Sequence, residues 1–482
     1  MEQEIKKSTI IKNLMWKLSE RFTAQIVSFL VSLILARLLA PDDYGLVALI
    51  TVFIAIANVF VTSGFGNSLI QKKDATETDF SSVFYFSIFV GVVVYILLFL
   101  IAPLIAKFYD NDSLTSLLRV LSLSVIFAGI NSVQEAYVSR NMLFKKFFFS
   151  TIIGTIISAI IGIIMAFRGF GAWALVFQTL INQLVNTIVL WYTVGWRPIL
   201  KFSLKSMQQL FSFGWKLLVS SIIDTIYNNI YSLVIGKCFS AKSLGYYNRG
   251  KAIPNMIISN INGSIQSVMF PAFSRFQNNL LAMKNVMRRA ILTSTFIIVP
   301  AMIGVAAIGR PITILLLTEK WLPSVPFLQF SCFILAFYPI HTTNLQVINA
   351  MGRSDIYLKL EIIKKIIGFV ILLVSIPFGI YGMMIGSCIS TIICSIVNSF
   401  PNKKLLNYGY FEQIKDILPV FILSITMGLV INLWTILDLN IIIALFIQVI
   451  TGVIIYLLGS KIFKLEAYTY IVGILKKENN FK

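Results

Sequence analysis

The sequence Trp16-Lys17-Leu18-Ser19-Glu20-Arg21, followed by an uncharged run from Phe22 to Ala36, decides the fold. As an α-helix this run reaches about 22 Å, which is short of the ~30 Å hydrocarbon core of a bilayer. A helix that crosses the membrane here must therefore carry Lys17, Glu20 and Arg21 into it, or thin the bilayer. In the alternative, the helix starts late and these charges lie at the interface.

The three charges lie on related faces of the predicted helix. Lys17 and Arg21 are four residues apart and share a face, while Glu20 follows Lys17 by three residues and can pair with it. A charge inside a bilayer costs at least about 2.5 kcal/mol unless it faces protein or water. We therefore expect this helix to line a water-filled, positively charged cavity.

The composition is that of a membrane protein. Of 482 residues, 57% are hydrophobic and 12% are charged, whereas soluble domains carry about 25% charged residues. The mean hydropathy is +0.86. Apolar runs long enough to cross a membrane as helices fill the chain, and the alternating strands of a membrane β-barrel are not seen in the sequence. The fold class is therefore predicted to be all-α, polytopic and membrane-spanning.

The remaining composition excludes several other classes. The net charge of +20 does not indicate nucleic-acid binding, because Lys and Arg are scattered at the ends of apolar runs. The single histidine, His341, excludes a multi-histidine metal site, and we predict neither a metal nor a cofactor. Four cysteines lack the spacing of metal ligands and are interpreted as packing residues: Cys238, Cys332, Cys388 and Cys394.

Fourteen apolar runs are predicted to cross the membrane. Lys and Arg are concentrated in the connections on the side of the N-terminus, which places both ends of the chain in the cytoplasm. The acidic N-terminus does not resemble a signal peptide. The predicted spans are residues 13–37, 44–66, 80–106, 114–138, 147–168, 171–194, 209–236, 252–273, 286–308, 325–349, 355–376, 379–400, 417–437 and 441–462.

The chain contains an internal repeat. Leu33-Ile-Leu-Ala-Arg-Leu-Leu-Ala-Pro-Asp-Asp-Tyr-Gly45 is similar to Leu233-Val-Ile-Gly-Lys-Cys-Phe-Ser-Ala-Lys-Ser-Leu-Gly245, and Gly169-Phe-Gly-Ala is similar to Gly379-Ile-Tyr-Gly. Six spans separate the copies, so both copies insert with the same orientation. This predicts two six-helix lobes around a cleft, residues 1–200 and 201–405. Residues 406–482 hold spans 13 and 14 and a cytoplasmic tail.

The seventh span repeats the polar pattern of the first. Its polar residues recur every three or four positions on one helical face: Lys216, Ser220, Asp224, Asn228 and Tyr231. Arg249 and Lys251 follow near the predicted outer mouth. The alternative for every polar stripe here, including those of the fourth, sixth, eighth and tenth spans, is hydrogen bonding between membrane helices.

The sign of the charges indicates the class of substrate. Lys and Arg outnumber the nearby acids Glu20 and Asp224, so a cavity lined by these spans suits an anion such as a phosphate or an acidic sugar. Lys364 and Lys365, with Glu361, are predicted near the inner end of the eleventh span, where long side chains can reach the interface.

The stretch Ala36-Arg-Leu-Leu-Ala-Pro-Asp-Asp-Tyr-Gly45, followed by an apolar helix and Gly64-Phe-Gly66, resembles the first helical hairpin of Wzx-type polysaccharide transporters. These lipid-linked oligosaccharide flippases include colanic acid and teichuronic acid exporters. The arrangement of fourteen spans also resembles the multidrug/oligosaccharidyl-lipid/polysaccharide (MOP) superfamily over almost the whole chain. The resemblance implies a carrier in the bacterial inner membrane that moves undecaprenyl-pyrophosphate-linked sugar repeat units outward by alternating access.

A transport mechanism of this kind gives candidate roles to the polar residues of the predicted cavity. No residue is expected to be catalytic. Glu20 or Asp224 is a candidate for coupling to a proton or Na⁺ gradient, and spans 13 and 14 are expected to form a groove for the lipid tail. The protein is expected to act as a monomer, alone or with polysaccharide assembly proteins. The candidate substrate-binding residues of the central cavity are Lys17, Arg21, Lys216, Asn228, Tyr231, Arg249 and Lys251.

Two other functions remain open on the sequence alone. A multidrug or organic-cation antiporter of the same superfamily would need acids in the cavity, where cations are in excess here. A sugar polymerase or ligase acting on the same lipid carrier would need acid–base residues near the outer surface. The two longest outer connections are short and contain one acid, Glu319. We therefore predict a transporter rather than an enzyme.

Overall fold

A computed structural model of the chain describes residues 7–62, 65–72, 74–276, 279–437 and 440–479. All regular secondary structure within these ranges is helical, which confirms the all-α prediction. The chain divides into two compact units, Met1–Gly245 and Tyr246–Lys482. The predicted lobes, which follow the repeat and divide near residue 200, stay a prediction.

The described residues of unit 1 form nine helices and the first turn of a tenth, which continues into unit 2. Within unit 1, α9 packs against α2, α3 and α4. The helices are α1 (Lys7–Leu38), α2 (Pro41–Thr62), α3 (Phe65–Gln71), α4 (Glu77–Phe108), α5 (Ser113–Leu121), α6 (Leu123–Arg140), α7 (Phe144–Phe167), α8 (Ala172–Thr193), α9 (Leu204–Cys238) and α10 (Ala241–Arg275).

In unit 2, the part of the chain that the structure describes forms the rest of α10 and nine further helices. Short 3-10 turns precede α13 and α16 and follow α17. The helices are α11 (Leu280–Ala307), α12 (Gly309–Leu317), α13 (Val325–Ala336), α14 (Tyr338–Ala350), α15 (Ser354–Ser375), α16 (Gly379–Leu406), α17 (Tyr410–Leu433), α18 (Ile441–Ile462) and α19 (Glu466–Asn479).

The helices account for the predicted number of spans. Among the described residues, 12 helical stretches are long and apolar enough to cross a membrane. One of them, Ser354–Leu406, contains both α15 and α16 and therefore corresponds to two spans. The 35 residues of α10 are also long enough to cross, although this helix is more polar. With these two additions the structure agrees with fourteen spans.

Apolar side chains cover the outside of the helices. On α18, for example, Ile442, Phe446, Val453 and Leu458 are all exposed. A soluble monomer rarely exposes large continuous apolar surfaces, whereas a bilayer solvates them. The chain is therefore a multi-pass membrane protein.

Two helix-to-helix turns recur 210 residues apart with the same backbone conformation. Gly169, after α7, and Gly379, after α15, both have φ of +77°. Met142, before α7, and Gly352, before α15, have φ of +55° and +72°. The backbone amides of Met142 and Gly352 each donate a hydrogen bond to the carbonyl oxygen three residues earlier. The N···O distances are 3.3 Å for Met142 and 3.0 Å for Gly352. These matched turns support the internal repeat.

The first pair of similar hairpins is also a place of contact within unit 1. Gly45, near the start of α2, lies against the backbone of Ala241 in the first turn of α10. Gly245 lies in turn against the backbone of Pro41. A Cβ atom at either glycine would overlap the other hairpin, so this close approach requires glycine at both positions.

An ion pair lies beside this contact. Lys237, at the end of α9, places its Nζ 3.0 Å from Oδ2 of Asp110 and also donates to the carbonyl oxygen of Phe108 at the end of α4. A cation is favourable at a helix C-terminus because the last carbonyl groups carry partial negative charge. Lys237 is one of the basic residues of the predicted outer loop, and the structure gives it this helix-capping role.

Candidate functional site

The charges at the start of the first span form a defined group in unit 1. Lys17 Nζ lies 2.8 Å from Oε2 of Glu20, and the hydroxyl of Thr151 on α7 donates to the other Glu20 oxygen at 3.2 Å. The Lys17 side chain is 49% exposed, whereas that of Glu20 is 14% exposed. Glu20 is therefore held by two partners, while the Lys17 ammonium keeps an open side for a ligand.

Two aromatic rings help to position Lys17. Its Nζ lies 5.0 Å from the centre of the Phe147 ring and 5.9 Å from that of Phe144, both at the start of α7. An ammonium group over an aromatic face is attracted by the ring quadrupole. These rings favour one place for the ammonium beside the first turns of α7.

Lys17 does not lie on the lipid-facing side of α1. Phe22, Ile26 and Leu30 are more than half exposed and form an apolar stripe. Ile26 follows Lys17 by nine residues, which places it on the opposite side of a helix with 3.6 residues per turn. Ser28, eleven residues after Lys17, is on nearly the same side as Lys17 and is also exposed. The helix thus has one apolar and one polar exposed face.

Arg21 lies on the helical backbone of α1, but its side chain is outside the described residues. The predicted pairing of Glu20 with Lys17 is present in the structure. The predicted role of Arg21 as a cavity residue stays a prediction.

The polar stripe of the seventh span is also exposed on unit 1. Lys216, Asp224 and Asn228 on α9 are exposed, and Tyr231 is half-buried. The apolar residues Trp215, Val219 and Ile223 form a separate exposed stripe on the same helix. As on α1, polar and lipid-facing residues occupy different faces.

Lys17 and Lys216 lie at matching positions on the two repeated helices. Lys17 is 21 residues before the end of α1 and Lys216 is 22 residues before the end of α9, which corresponds to about 31 and 33 Å. Both distances are close to the ~30 Å thickness of a hydrocarbon core. Asp224 and Asn228 lie nearer to the end of α9, at about 21 and 15 Å.

A further carboxylate belongs to the α1 group. Glu135 on α6 is exposed, although its neighbours Gln134 and Ala136 are buried, and it interacts electrostatically with Lys17 and Glu20. Glu135 lies within the predicted fourth span, residues 114–138, but is not among the candidate site residues. The sequence does single out this residue in one way: Glu135 is the one acidic residue between residues 123 and 139.

Arg249 and Lys251 lie in unit 2, near the start of α10. The Arg249 guanidinium lies 6.0 Å from the centre of the buried Trp321 ring. Lys251 donates a hydrogen bond to the Tyr247 hydroxyl at 2.9 Å. Both cations are half-buried and in contact with aromatic side chains of their own unit, so they are less open to a ligand than Lys216.

The arginine of the fourth span has a structural contact. Pro103 lies inside α4 and has no amide hydrogen, which leaves the carbonyl of Phe99 without its usual donor. Nε of Arg119 donates to this oxygen at 3.1 Å, and the guanidinium lies 4.1 Å from the Phe99 ring. Arg119 therefore satisfies the carbonyl that the proline frees.

In unit 2, buried amides join α14, α16 and α17. Asn344 and Gln413 exchange hydrogen bonds of 2.8 and 3.0 Å, and Asn402 donates to Asn344 Oδ1 at 2.7 Å. Ser399 donates to Gln413 Oε1 at 3.3 Å. All four side chains are fully buried. For this part of the tenth span, helix-to-helix hydrogen bonding is the role that the structure supports.

A charged cluster lies at the adjoining end of α17. Arg288 donates to Asp416 at 2.8 and 2.9 Å and to Glu466 at 2.6 Å, which links α11, α17 and α19. The Tyr408 hydroxyl donates to Asp416 at 2.7 Å. Burial, together with the hydrogen bond to the Asp416 carboxylate, raises the pKa of Tyr408, so the phenol stays protonated as a donor.

Lys364 lies in the middle of its helix. It is the eleventh of the 22 residues of α15 and forms an ion pair of 2.6 Å with Glu361. The helix begins at Ser354, within one residue of the predicted start of the eleventh span. Only 14% of the Lys364 side chain is exposed, because the ammonium is paired within the protein. Its position near the inner membrane surface stays a prediction.

The helices of spans 13 and 14, α17 and α18, border an apolar groove against α11. The groove has a volume of about 430 Å³ and is mainly apolar. A second groove of about 790 Å³ lies farther toward the start of α17. The first is lined by residues such as Pro300, Gly304, Met427, Ile431 and Gly452, and the second by residues such as Lys415, Leu418, Ile422, Phe463 and Leu465.

The structure places the cysteines in different surroundings. Cys332 and Cys394 are buried and Cys388 is half-buried, as packing residues would be, whereas Cys238 is exposed at the end of α9. Among the described residues, no group of three or more His, Cys, Asp or Glu side chains could hold a metal ion.

Comparison with known proteins gives the family. A family model described as polysaccharide biosynthesis protein matches residues 34–326. The teichuronic acid biosynthesis protein TuaB of Bacillus subtilis is 26% identical over 397 residues, 78% of each chain. The lipopolysaccharide biosynthesis protein WzxC of Escherichia coli is 26% identical over 416 residues, 83% of each chain.

Solved structures show the same fold. The lipid II flippase MurJ in an inward closed conformation superposes with a TM-score of 0.76 and 18% identity, covering 93% of this chain and 98% of MurJ. An inward-facing multidrug resistance MATE family transporter of the MOP superfamily superposes with a TM-score of 0.63 and 15% identity, covering 82% of this chain and 98% of the transporter.

These matches confirm the family resemblance and the fold that the sequence predicted, and they agree with a transporter rather than an enzyme. The family model covers more than half of the chain, including the repeated hairpins and α1 from residue 34 onward. The chain therefore belongs to the polysaccharide biosynthesis protein family, built on the fold of MOP-superfamily transporters.

Proposed function

We propose that this protein moves undecaprenyl-pyrophosphate-linked oligosaccharide repeat units from the inner to the outer leaflet of the bacterial inner membrane, for the synthesis of a surface polysaccharide. One observation carries the proposal: a member of a polysaccharide biosynthesis family exposes Lys17 and Lys216 on polar helix faces that are separate from its lipid-facing stripes.

The headgroup would bind along the polar faces of α1 and α9. The Lys17 and Lys216 ammonium groups would lie near one edge of the hydrocarbon core, where a pyrophosphate enters from water, because each is about 30 Å from the end of its helix. Each replaces water as a partner of the phosphate oxygens through charge-assisted hydrogen bonds. Asn228 and Tyr231 lie deeper and offer hydrogen bonds to sugar hydroxyls, while Arg21 adds charge one turn from Lys17.

The polyprenyl tail would remain in an apolar environment throughout. The groove between α11, α17 and α18 is such an environment. Gly304 and Gly452 line it without adding side chains to its walls. Together with the second groove, it follows α17 from Lys415 to Ile431, about 24 Å along the helix. This length is most of the thickness of a bilayer core.

Alternating access by the two predicted lobes would carry the headgroup across. Glu20 and Asp224 are the candidates for coupling this movement to a proton or Na⁺ gradient. Glu20 already has two partners, Lys17 and Thr151, and a phosphate that binds Lys17 competes with it for the ammonium. Arg249 and Lys251 would complete the path near its outer end. We propose cytoplasmic termini and a monomeric carrier that works with polysaccharide assembly proteins.

The double charge reversal Arg21→Glu with Lys216→Glu tests the proposal. We expect it to abolish polysaccharide export without loss of membrane insertion, because the phosphate would meet carboxylates in place of its cationic partners. Export is measured as surface polysaccharide in cells and as flipping of the lipid-linked oligosaccharide in liposomes. Normal export by this variant would contradict the role of both residues.

The matched control reverses two exposed lysines outside the polar stripes, Lys201→Glu with Lys242→Glu, which changes the net charge by the same amount. We expect this control to export normally. If the wild-type protein instead raises resistance to cationic drugs and does not flip the oligosaccharide lipid, the multidrug antiporter is the better description.

A further inference from the structure

The tenth span is broken where a titratable side chain lies. α13 ends at Ala336 and α14 begins at Tyr338, with Pro339 in its first turn, inside the candidate span Glu319–Ala350. Irregular backbone at membrane depth is tolerated where it is buried in protein or lines a wet cavity, and broken helices often form ion sites in transporters. His341, the single histidine of the chain, lies one turn after the break.

The ring of His341 has partners at two sites on α16. Its Nδ1 lies 3.1 Å from Nδ2 of Asn398, and the ring also hydrogen-bonds the backbone of Thr391. With the Asn398 amide donating, Nδ1 is the acceptor, and Nε2 carries the hydrogen that the Thr391 carbonyl accepts. This arrangement is that of a neutral imidazole.

The same atoms can also hold the protonated ring. Asn398 is fully buried, and among the described residues its Oδ1 has no hydrogen-bond partner. Turning the amide by 180° brings Oδ1 to the position of Nδ2, where it accepts a hydrogen bond from a protonated Nδ1. One amide atom is without a partner in either orientation, so the turn does not add an unpaired group.

Charged groups of α15 face this site. Lys364 interacts electrostatically with His341 and is paired with Glu361 at 2.6 Å. Cys394 of α16 interacts with both members of this pair. The helices packed against α14 carry further titratable groups: Asp355, Tyr357, Lys359 and Lys365 of α15, Tyr381, Cys388, Lys403 and Lys404 of α16, Cys332 of α13, and Lys284, Arg288 and Arg289 of α11, with Tyr338 on α14 itself.

We propose that His341 and Asn398 form a proton-binding site whose occupancy is linked to the Lys364–Glu361 pair. A proton from water adds to the Nδ1 lone pair, the Asn398 amide turns, and the proton returns to water by the reverse path. The new charge repels the Lys364 ammonium and so favours its contact with Glu361. Protonation of His341 therefore changes the electrostatic interactions among α14, α15 and α16.

The ligand of this site is therefore the proton, and its use as a coupling ion rests on the proposed transport function. Proton binding itself does not depend on that function. A site in unit 2 is also separate from the Glu20 and Asp224 candidates of unit 1. Export and proton binding can accordingly be tested apart.

The single histidine makes the wild-type protein suitable for direct measurement. We expect ¹⁵N-histidine NMR of the full chain in lipid nanodiscs to show the Nε2–H form at high pH and a ring with two N–H groups after a single transition as the pH is lowered from about 8 to about 3. A ring that stays neutral throughout this range, or a neutral form with hydrogen on Nδ1, would overturn the proposal. No substitution is needed, so misfolding cannot affect this result.

Two variants test the assigned partners. Lys364→Gln removes a nearby positive charge and should move the transition to higher pH by about one pH unit, whereas Lys359→Gln, at an exposed position of the same helix, should leave it in place. Asn398→Leu should remove the transition from this range, because a protonated Nδ1 has no acceptor. An unchanged transition in Lys364→Gln or Asn398→Leu counts against the site.

The link to transport is measured separately in liposomes. We expect His341→Gln, which cannot bind the proton, to lose the increase in flipping that an imposed proton gradient produces in the wild-type protein. An equal response of both proteins would refute the coupling role. A wild-type protein that flips no oligosaccharide lipid, but whose histidine still titrates, would contradict the proposed function and leave the proton site standing.

Discussion

The polar stripe of α9 and the amide cluster of α14, α16 and α17 both consist of polar side chains, but they differ in exposure. In the cluster, Asn344 and Gln413 use every donor and acceptor on each other and on neighbouring groups. On α9, Lys216 and Asn228 are exposed. The cluster joins helices, whereas the stripe remains open to a ligand.

This difference separates structural from functional polar residues better than residue type does. A hydrogen bond between membrane helices contributes about 0.6 kcal/mol on average, and a buried polar group that loses its partner costs about 1 to 3 kcal/mol. Substitutions in the closed cluster should therefore act on stability, and substitutions in the open stripe should act on export. Four substitutions test this division, in order from the largest to the smallest expected change in the free energy of unfolding.

Gln413→Leu should have the largest effect. It leaves Asn344 without two of its partners in a fully buried site, and we expect the free energy of unfolding to fall by about 3 kcal/mol. Denaturant-induced unfolding in lipid nanodiscs measures this change. The matched substitution in the stripe, Asn228→Leu, should change stability by less than about 0.5 kcal/mol. Equal losses in both variants would remove the distinction between the two regions.

Arg288→Lys tests the charged end of the cluster. A lysine cannot form the paired hydrogen bonds that the guanidinium makes with Asp416 and with Glu466. We expect a loss of about 1.5 kcal/mol and faster hydrogen exchange in α19, which Glu466 begins. Exchange in α8 serves as the internal control and should not change. Unaltered exchange in α19 would mean that Arg288 does not hold this helix.

Arg119→Met tests a cation that the sequence alone would assign to a stripe. Because Arg119 satisfies the carbonyl of Phe99 freed by Pro103, we expect a stability loss of about 1 kcal/mol and normal export. The double variant with Pro103→Ala restores an amide donor for that carbonyl and should recover most of the loss. Additive losses in the double variant would show that the two residues act independently.

Lys216→Met should have the smallest effect on stability. The side chain is exposed, so we expect the free energy of unfolding to change by less than about 0.5 kcal/mol. Export should nevertheless fall, because a ligand phosphate loses a cationic partner. Thermal unfolding and surface polysaccharide are measured on the same preparations. A large loss of stability with proportionate loss of export would place Lys216 with the structural residues.

The sequence predicted the helices, the repeat and the Lys17–Glu20 pair because these depend on local order and spacing. The amide cluster was not predicted, since it joins residues 344, 399, 402 and 413 across three helices. The burial of Lys364 was not predicted, because an apolar run does not show which of its charged residues pack inside the protein. Glu135 was not selected, because only the fold brings α6 and α1 together around one ammonium group.

The contact between Gly45 and Gly245 has a consequence for how this end of the protein can respond to its surroundings. Two backbones meet there without intervening side chains, so the attraction is mainly dispersion, which neither salt nor acid weakens. The neighbouring Lys237–Asp110 pair is exposed and is screened by ions. The attraction between the two hairpins therefore has one part that does not depend on ionic strength and another part that does. Increasing salt should therefore weaken the Lys237–Asp110 ion pair and leave the contact between Gly45 and Gly245 unchanged.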